Sequence, residues 1–247
     1  MPYPVEKDYT WHTQITTYDA GADRRLRPSN QLQLQQEVGE RHLALGGLTW
    51  EELYRNGLVF VLTKTSSVIH RAPQMDEEVW IRTWHRDTKG AQFYRCYQFL
   101  DREEQPLIES VTAFALVDPA EHRLLRPSVF DRFGLTLQPE RKNGCPDPGK
   151  IHLPRDLEPA GSRTVYWSDT DYNGHLNNSK YADLMCDFLP GGMQGKRVTG
   201  FSISFLKEAR EGSRLQLFAA QEPGLVTVCA DHEEGRCFEA QLRYEPD

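Results

Sequence analysis

The chain has 247 residues, of which 26% are charged and 38% are hydrophobic, and its 29 basic and 36 acidic side chains give a net charge of -7. This length is enough for one large globular domain or for two domains of about 120 residues each. The acidic balance argues against nucleic acid as the main partner, because binding to a phosphate backbone needs clustered Lys and Arg.

The first half begins with the segment "YTWHTQITTY", which alternates like a strand and is followed by the turn cluster "DAGADRRLRPSN". The next segment, "QLQLQQEVGERHLALGG", predicts a helix that stops at its glycine pair, and "LTWEELYRNG" predicts a short second helix. Four β-rich runs follow: "LVFVLTKTSSVIH", "EEVWIRTWHRD", "AQFYRCYQFLD" and "PLIESVTAFALVD". The short turn-like breaks between them are typical of antiparallel strands.

The second half repeats this order of elements. "SRTVYW" is strand-like, "SDTDYNGH" predicts a loop, and "LNNSKYADLMCDFL" predicts a helix that ends at Pro190. Four strand-like runs then close the chain: "RVTGFSISFLKE", "SRLQLFAA", "GLVTVCAD" and "CFEAQLRYE". A duplicated α+β unit is therefore predicted, in which each half wraps an antiparallel sheet around one apolar helix.

The duplication predicts three segments of the chain. The N-terminal unit is predicted at 1–136 and the C-terminal unit at 161–247. Residues 137–160 are rich in Pro, Gly and charge, so they are predicted to form a surface linker between the two units. The alternative is a single irregular α+β domain whose halves resemble each other by accident.

The five cysteines are odd in number and show no C-x-x-C spacing: Cys96, Cys145, Cys186, Cys229 and Cys237. Zinc and redox motifs built on paired cysteines are thus unsupported, and a reducing cytoplasm is the predicted location. The N-terminal segment has early charges and no apolar core, so no secretory signal is predicted. No stretch approaches the roughly 20 apolar residues of a membrane span.

The segment "YWSDTDYNGHLNNSKY" concentrates polar side chains just before the second predicted helix. Asp171, Asn173 and His175 alternate, so in an extended backbone their side chains share a face and could enter one pocket. The dipeptide Asn173-Gly174 is also a strong turn signal, which would bring these groups closer together.

The same segment contains candidate helix caps. Asn177 or Asn178 can cap the helix that follows. A helix N-terminus offers free backbone N–H groups and a partial positive charge, both of which suit the stabilisation of an oxyanion. A carboxylate, an amide and an imidazole beside such donors can activate water, or attack directly, at an acyl carbonyl.

Each of these residues also has a purely structural interpretation. Asp169 is predicted to be a turn or cap residue, and His175 alone would be a hydrogen-bonded structural histidine. A metal site from Asp171, His175 and a distant carboxylate is a further alternative, although no two histidines stand at ligand spacing. The sequence contains no G-x-S-x-G, phosphate-binding or H-E-x-x-H motif.

The segment "WSDTDYNGHLNNSKY" resembles the D-x-N-x-H-x-N-N-x-K-Y signature of plant-type acyl-ACP thioesterases, which are double hot-dog proteins. The resemblance covers nearly the whole chain and includes the "PSNQ" helix start, the strand "VFVLTKTSSVIHRAP" and the segment "VWIRTW". It implies an α+β tandem hot-dog fold and a hydrolase of fatty acid biosynthesis that acts without cofactor or metal. The implied partner is an acyl carrier protein that bears an acyl-phosphopantetheine.

The segment "ISFLKEAREG" resembles the part of the family that carries a catalytic Glu, which implies that role for Glu208. The implied catalytic set is Asp171, Asn173, His175 and Glu208. The family often has Cys after the Glu, whereas this chain has Ala209, so a cysteine mechanism is excluded there and a carboxylate mechanism stays intact. From the residues alone, Glu208 would be a solvated side chain in the charged run "KEARE".

The first half is predicted to be chemically silent. Its matching stretch keeps Asp19 and Asn30 but lacks His and Asn at the catalytic positions, and Arg71 is predicted to correspond to Glu208. The resemblance implies that this half binds the acyl chain. The aromatic residues of its strands are candidates for an apolar tunnel or for plain core: Trp80, Trp84, Phe93 and Tyr94.

Three functional hypotheses stay open: an acyl-ACP thioesterase, an acyl-CoA thioesterase of the same architecture, and a non-catalytic acyl-binding protein. A dehydratase is disfavoured because its expected His-containing motif is missing. Docking of an acidic carrier protein would need basic side chains near the site, and the candidates are Lys180, Lys196, Arg197, Lys207 and Arg210. The choice between monomer and homodimer, and the length and saturation of the acyl chain, stay open.

Overall fold

The computed structural model describes residues 5–247, so the first four residues of the predicted unit 1–136 lie outside it. The helices are α1 (Pro28–Leu45), α2 (Trp50–Arg55) and α3 (Asn178–Asp187). The strands of the first half are β1 (Asp8–Gln14), β2 (Val59–Ile69), β3 (Glu78–Lys89), β4 (Gln92–Leu100), β5 (Pro106–Asp118) and β6 (Arg123–Leu125). Those of the second half are β7 (Glu158–Thr164), β8 (Lys196–Phe205), β9 (Arg214–Glu222), β10 (Leu225–His232) and β11 (Gly235–Pro246).

The elements follow the predicted order, and β5 agrees with its predicted segment residue for residue. The helix α1 begins at Pro28, three residues before the start that periodicity predicts and at the "PSNQ" start that the resemblance implies. Proline suits the first helical turn because its fixed φ is helical and its missing N–H would have no partner there. The strand β6 and the short 3₁₀ helix Pro127–Phe133 were not predicted, since neither is long enough to show a period.

All strands join one antiparallel sheet in the order β1-β3-β4-β5-β2-β8-β11-β10-β9-β7, and β6 pairs with β5 outside this path. The two halves meet where β2 pairs with β8, with Thr65 opposite Ile203 and Val68 opposite Gly200. The predicted α+β class is confirmed. The two predicted sheets continue into each other through the β2–β8 pair.

The helices α1 and α3 pack against each other, and Gln33 Nε2 of α1 donates to Ser179 Oγ of α3 at 3.1 Å. The prediction of an apolar helix is wrong for α1, because it buries Gln31, Gln35 and His42. Gln31 and Gln35 instead donate hydrogen bonds to serine hydroxyls of the sheet. No helix within residues 5–247 is long and apolar enough to cross a membrane.

The predicted linker 137–160 is anchored to the outer face of the first-half sheet. Gly144 N donates to Glu109 Oε1 at 3.0 Å, and Cys145 is buried. The apolar cluster beneath it contains Trp84, Tyr94, Cys96, Val111, Ala113 and Cys145. The division into 1–136, 137–160 and 161–247 stays a prediction, and β7 begins at Glu158.

Candidate active site

The polar segment before α3 folds into a tight turn held by its own backbone. Asp171 N donates to His175 O at 2.8 Å, and Gly174 N donates to Asp171 O at 3.0 Å. Gly174 has a φ of 77°, in the left-handed region that favours glycine. The predicted turn at Asn173-Gly174 is therefore confirmed.

The carboxylate of Asp171 is oriented by the same turn. Its Oδ1 atom accepts from Asn173 N at 2.8 Å and, more weakly, from His175 N at 3.5 Å. Because the backbone supplies these donors, the position of the carboxylate is fixed by the loop conformation and not by another side chain.

His175 and Glu208 form the one side-chain pair among the four predicted catalytic residues that lies within ion-pair distance. His175 Nε2 lies 3.0 Å from Glu208 Oε2, and the Glu208 side chain is 61% exposed. The segment after β8 reaches the loop because Leu176 N donates to Ala209 O at 2.7 Å. The tertiary structure thus brings together two residues that are remote in sequence.

Two neighbouring polar residues hold the loop and the helix in place. Asn177 caps α3, since its Oδ1 accepts from Ser179 N at 2.9 Å. Asp169 is 4% exposed, and its carboxylate accepts from Tyr166 N at 3.1 Å and from Arg163 Nη2 at 2.6 Å. The predicted cap role of Asp169 is confirmed.

A cavity of about 640 Å³ is bordered by Asp171, Asn173, His175 and Glu208 and extends between α1 and the first-half sheet. Most of its wall is apolar and comes from α1, α2, the loops that flank α2, and the strands β2, β4 and β5. The apolar residues of this wall include Leu32, Leu43, Leu48, Leu53, Leu58, Phe60, Leu62, Phe93 and Phe114. The cavity therefore connects the polar loop of the second half to an apolar interior in the first half.

Of the four aromatic residues considered for a tunnel, Phe93 alone lines this cavity. Trp84 and Tyr94 lie in the outer cluster under the linker, and Trp80 stacks on His12 with ring centroids 4.4 Å apart. The plain-core alternative is confirmed for Trp84 and Tyr94, and none of these three residues lines the cavity because their strand positions direct them to other surfaces. Alternation along β2 and β5 could have indicated Phe60 and Phe114.

The mouth of the cavity has an aromatic rim that sequence reasoning missed. Trp50 of α2 stacks on Tyr54 at a centroid distance of 5.0 Å and meets the edge of Tyr172 at 5.4 Å. All three side chains are exposed and line the cavity. Tyr172 lies between Asp171 and Asn173 in the sequence, so this aromatic residue inside the polar motif could have indicated the rim.

The first half contains the same backbone arrangement without its chemistry. Gly21 N donates to Arg25 O at 2.9 Å, in the way that Asp171 N donates to His175 O. Gly21 and Arg25 therefore occupy the positions of Asp171 and His175. Neither a glycine nor an arginine can serve as a carboxylate or a neutral imidazole, so this copy of the loop lacks the candidate catalytic groups.

The prediction that Arg71 corresponds to Glu208 is wrong by one residue. Leu26 N donates to Pro73 O at 2.8 Å, just as Leu176 N donates to Ala209 O, so Pro73 corresponds to Ala209. Ala72, the residue before Pro73, therefore corresponds to Glu208. Arg71 instead forms an ion pair with Glu77 at 2.6 Å. The conclusion that the first half is silent at this position is unaffected, because alanine carries no ionisable group.

The expected basic cluster near the site is also corrected. Lys207 and Arg210 flank Glu208 and are exposed, but Lys196 and Arg197 begin the ten-residue strand β8. At a rise of about 3.3 Å per residue, the two ends of β8 are about 30 Å apart. Lys196 and Arg197 therefore lie at the end of β8 that is remote from Glu208.

The geometry of the site also bears on the metal alternative. Within residues 5–247, no group of three or more His, Cys, Asp or Glu side chains is placed to hold a metal ion.

Two solved structures share this architecture over almost their whole length. The 12:0-ACP thioesterase from Umbellularia californica superposes with a TM-score of 0.84 at 17% identity, covering 98% of both chains. An acyl-ACP thioesterase from Bacteroides thetaiotaomicron gives a TM-score of 0.80 at 17% identity, covering 97% of this chain and 98% of the other. The predicted double hot-dog fold is confirmed.

The acyl-ACP thioesterase N-terminal domain matches residues 6–129, and the acyl-ACP thioesterase C-terminal domain matches residues 160–245. The chain belongs to the acyl-ACP thioesterase family. An acyl-[acyl-carrier-protein] hydrolase of Cuphea viscosissima is 23% identical over 224 residues, covering 85% of this chain and 54% of that protein. A palmitoyl-acyl carrier protein thioesterase of Arabidopsis thaliana is 23% identical, covering 87% and 54%. The chain thus spans about half the length of these curated relatives.

Proposed function

We propose that the protein hydrolyses the thioester of a fatty acyl-ACP and releases a free fatty acid and holo-ACP. The observation that carries the proposal is one cavity with a polar mouth, formed by Asp171, Asn173, His175 and Glu208, and an apolar interior. The mouth offers groups that act on a carbonyl, and the interior offers a surface for an alkyl chain. Family membership supports the acyl-ACP substrate.

The proposed reaction uses carboxylate chemistry. One of the carboxylates, Asp171 or Glu208, either adds to the thioester carbonyl or removes a proton from the water that adds to it. His175 is held by Glu208 at 3.0 Å, and together with Asn173 it orients and polarises the reacting groups. Collapse of the tetrahedral intermediate breaks the carbon–sulfur bond, and the phosphopantetheine leaves as a thiol. In the water route, the thiol takes up the proton that the carboxylate removed from water, and the fatty acid is released directly. In the direct-attack route, the thiolate takes up a proton from solvent, and water then hydrolyses the acyl-enzyme anhydride to the free fatty acid and the original carboxylate.

The first turn of α3 is a suitable partner for the developing oxyanion. Asn178, Ser179 and Tyr181 of α3 line the same cavity as His175. Backbone N–H groups at a helix N-terminus carry partial positive charge, which stabilises negative charge on a carbonyl oxygen. The wall of the cavity would thereby bind the transition state more strongly than the ground state.

The thiols of the chain support a mechanism without cysteine. Ala209 follows Glu208 and is buried, and none of the residues that line the cavity in the described chain is a cysteine. Burial raises the pKa of Cys186 and of Cys237 to about 12. Such groups stay protonated near neutral pH, and a protonated thiol is a poor nucleophile.

The location and the assembly state are further parts of the proposal. All five cysteines are free, which suits a reducing compartment, and we propose the cytoplasm. The four candidate catalytic residues come from one chain, so a monomer suffices for activity, and a homodimer would add no group to the site.

The test compares carboxylate-to-amide variants on purified acyl-ACP. Asp171→Asn and Glu208→Gln should each lower the turnover number at least about a hundredfold, the usual scale for loss of a general base. Glu211→Gln is the matched control, because Glu211 is exposed and close in sequence to Glu208. A folded Glu208→Gln variant with full activity would contradict the assignment of Glu208.

Product analysis tests the function itself. Expression in a bacterial host should release free fatty acids, whose chain lengths report the depth of the cavity. If no fatty acid accumulates and the purified protein still binds acyl chains, the non-catalytic alternative would be favoured. Hydrolysis of acyl-CoA in preference to acyl-ACP would favour the second alternative, which uses the same site with another carrier.

A further inference from the structure

Exposed apolar side chains are concentrated where the cavity opens to solvent. The aromatic rim of Trp50, Tyr54 and Tyr172 lines the cavity, yet its side chains are between 42% and 64% exposed. Val61 of β2 and Leu206, which follows β8, are exposed and line the same cavity. Apolar patches of this kind mark binding sites on soluble proteins, because a ligand that covers them removes apolar surface from water.

The helix α2 holds two of the rim residues in a fixed orientation. Trp50 and Tyr54 are four residues apart, so they lie on one side of the helix, where their rings stack. Leu53 anchors the helix by its burial, and Thr49 caps it, since its Oγ1 accepts from Glu52 N at 3.2 Å. The two rings are therefore positioned before a ligand arrives, which lowers the entropy that binding costs.

The aromatic rim is built from features that one half of the duplication has and the other lacks. The described chain has no helix between α3 and β8, so α2 has no counterpart in the second half. In the loop, Ala22 follows Gly21, which corresponds to Asp171, so Ala22 stands at the position of Tyr172. The fold that both halves share does not require these rings, and the loop ring occurs beside the candidate catalytic groups.

The proposed substrate must cross this rim. The candidate catalytic groups place the reacting carbonyl at the mouth, and the apolar interior receives its alkyl chain. The sulfur substituent must then extend outward, because a whole carrier protein cannot enter a cavity of about 640 Å³. Tyr172 is adjacent to Asp171 in the sequence, so the part of the thiol next to sulfur passes beside it. From Tyr172 the rim continues through Trp50 to Tyr54.

The chemistry of pantetheine fits an aromatic rim. From sulfur outward, it has an ethylene group, an amide, a second ethylene group, a second amide, a carbinol and a carbon with two methyl groups, and none of these is charged. Aromatic rings offer rigid apolar faces to methyl groups and to amide planes. Loss of water around the Tyr172 phenol, followed by the charges of Glu40 and Asp171, raises the pKa of Tyr172, so its hydroxyl stays protonated and can donate to an amide carbonyl.

We propose that the aromatic rim binds the pantetheine arm of the thioester, with Tyr172 against the amide nearest to sulfur and with Trp50 and Tyr54 against the dimethyl end. The inference rests on the proposed function and gives a binding role to residues outside the candidate catalytic set. ACP and CoA carry the same pantetheine arm, so the rim contributes equally with either carrier. Basic groups that contact the carrier protein itself would act on acyl-ACP alone.

The test compares kcat/KM on two uncharged thioesters of one acyl chain. One thiol is pantetheine, and the other is N-acetylcysteamine, which ends after the first amide and lacks the dimethyl group. The wild type should prefer the pantetheine thioester by about tenfold or more, and Trp50→Ala and Tyr54→Ala should each remove most of that preference. The preference is a ratio, so general damage to the site cancels, and alanine is the best helix former for α2.

Tyr18→Ala is the matched control. Tyr18 is 84% exposed and does not line the cavity, so its removal should leave the preference for pantetheine as in the wild type. On the natural carriers, Trp50→Ala should lower kcat/KM by the same factor with acyl-ACP and with acyl-CoA.

Three results would overturn the role of the rim. They are a wild type without preference for the pantetheine thioester, an unchanged preference in both Trp50→Ala and Tyr54→Ala, and a loss in Trp50→Ala that is confined to acyl-ACP, which would assign the rim to the carrier protein. If no thioester is hydrolysed, the proposed function fails separately. Calorimetric binding of the S-alkyl thioethers of the same two thiols, which need no hydrolysis, then measures the preference in the wild type and in Trp50→Ala.

Discussion

His175 is the residue at which the two parts of the candidate site meet. Its backbone belongs to the turn that orients Asp171, and its ring lies 3.0 Å from Glu208. A group held from both sides before substrate arrives needs little reorganisation during the reaction, which is the condition for electrostatic stabilisation of a transition state.

We expect His175→Ala to lower kcat much more than it raises KM, because the contacts of the ring strengthen in the transition state. The loss should be about a hundredfold or more. Steady-state kinetics on a single acyl-ACP separates the two constants. A variant with normal kcat and a raised KM would show that His175 contributes to substrate binding alone.

His42 makes stability depend on pH. Burial, followed by the neighbouring Arg95 charge, lowers its pKa to about 4 in the folded protein from about 6.5 in an unfolded chain, so between these values the unfolded chain binds a proton that the folded protein does not. The stability that neutral His42 contributes is fully present above pH of about 6.5 and is lost as pH falls toward 4.

Urea unfolding at pH 7 and at pH 4.5 tests this dependence. Between the two pH values, the wild type should lose on the order of 2 kcal/mol more unfolding free energy than His42→Gln, whose amide does not titrate. Other acidic groups titrate in both proteins and cancel in the comparison. An identical pH dependence in the two proteins would mean that His42 is charged in the folded state.

At the scale of elements, the pair β2–β8 is the seam that joins the two halves of the sheet. Gly200 of β8 faces Val68, and a Cβ at Gly200 would lie 2.7 Å from the carbonyl oxygen of Ser67. Real Cβ atoms do not approach a backbone oxygen so closely, so the seam depends on a residue without a side chain.

Gly200→Ala should therefore lower the unfolding free energy by about 1–3 kcal/mol, the usual cost of overpacking. Gly149→Ala is the matched control, since a Cβ there meets nothing within 4 Å. Its effect should stay within about 0.5 kcal/mol. A Gly200→Ala variant as stable as the wild type would show that the two strands can separate slightly without cost.

The buried face of α1 both packs against the sheet and forms part of the cavity wall. Gln31 and Gln35 donate to the hydroxyls of Ser67 and Ser110 at 2.8 and 2.7 Å, so polar groups on the helix are satisfied inside the protein. Leu32 and Gln35 both line the cavity. The helix thereby connects the two halves and forms one wall of the cavity.

At the scale of the whole molecule, the two halves of the duplication contribute different groups to the cavity. The second half keeps Asp171, His175 and Glu208, whereas Gly21, Arg25 and Ala72 occupy the same positions in the first half. Most of the apolar wall of the cavity comes from the first half. A site that draws its polar groups from one repeat and its apolar wall from the other requires the continuous sheet that joins them.

The net charge of -7 gives no overall attraction to an acidic carrier protein, so docking would depend on local basic groups. Reversal of Lys207 and Arg210 to Glu should lower activity on acyl-ACP about tenfold at low salt, and added salt should reduce the loss. Activity on the matching acyl-CoA should change much less.

Reversal of Lys196 and Arg197 is the control, because β8 places both residues about 30 Å from the end that leads to Glu208. That double variant carries the same change in net charge and should keep its activity on acyl-ACP. Equal losses in both double variants would mean that net charge governs the encounter. Equal losses on acyl-ACP and acyl-CoA would indicate damage to Glu208.

The sequence by itself determined the features that are encoded locally. The turn at Asn173-Gly174, the cap at the start of α3 and the strand β5 depend on residue types within a few positions, so pattern and propensity suffice for them. The repetition of elements and the motif resemblance then predicted the double hot-dog fold. The catalytic roles of Asp171, Asn173, His175 and Glu208 stay proposals.

The tertiary structure alone decided the features that depend on contacts between remote segments. It paired β2 with β8, placed Ala72 instead of Arg71 at the position that corresponds to Glu208, and put Lys196 and Arg197 far from Glu208. It also brought Arg95 under Gly39, beside the cavity. The ten residues of β8 place Lys196 about 30 Å from the end that leads to Glu208, and packing brings residues that are remote in sequence into contact. No local sequence pattern records these distances.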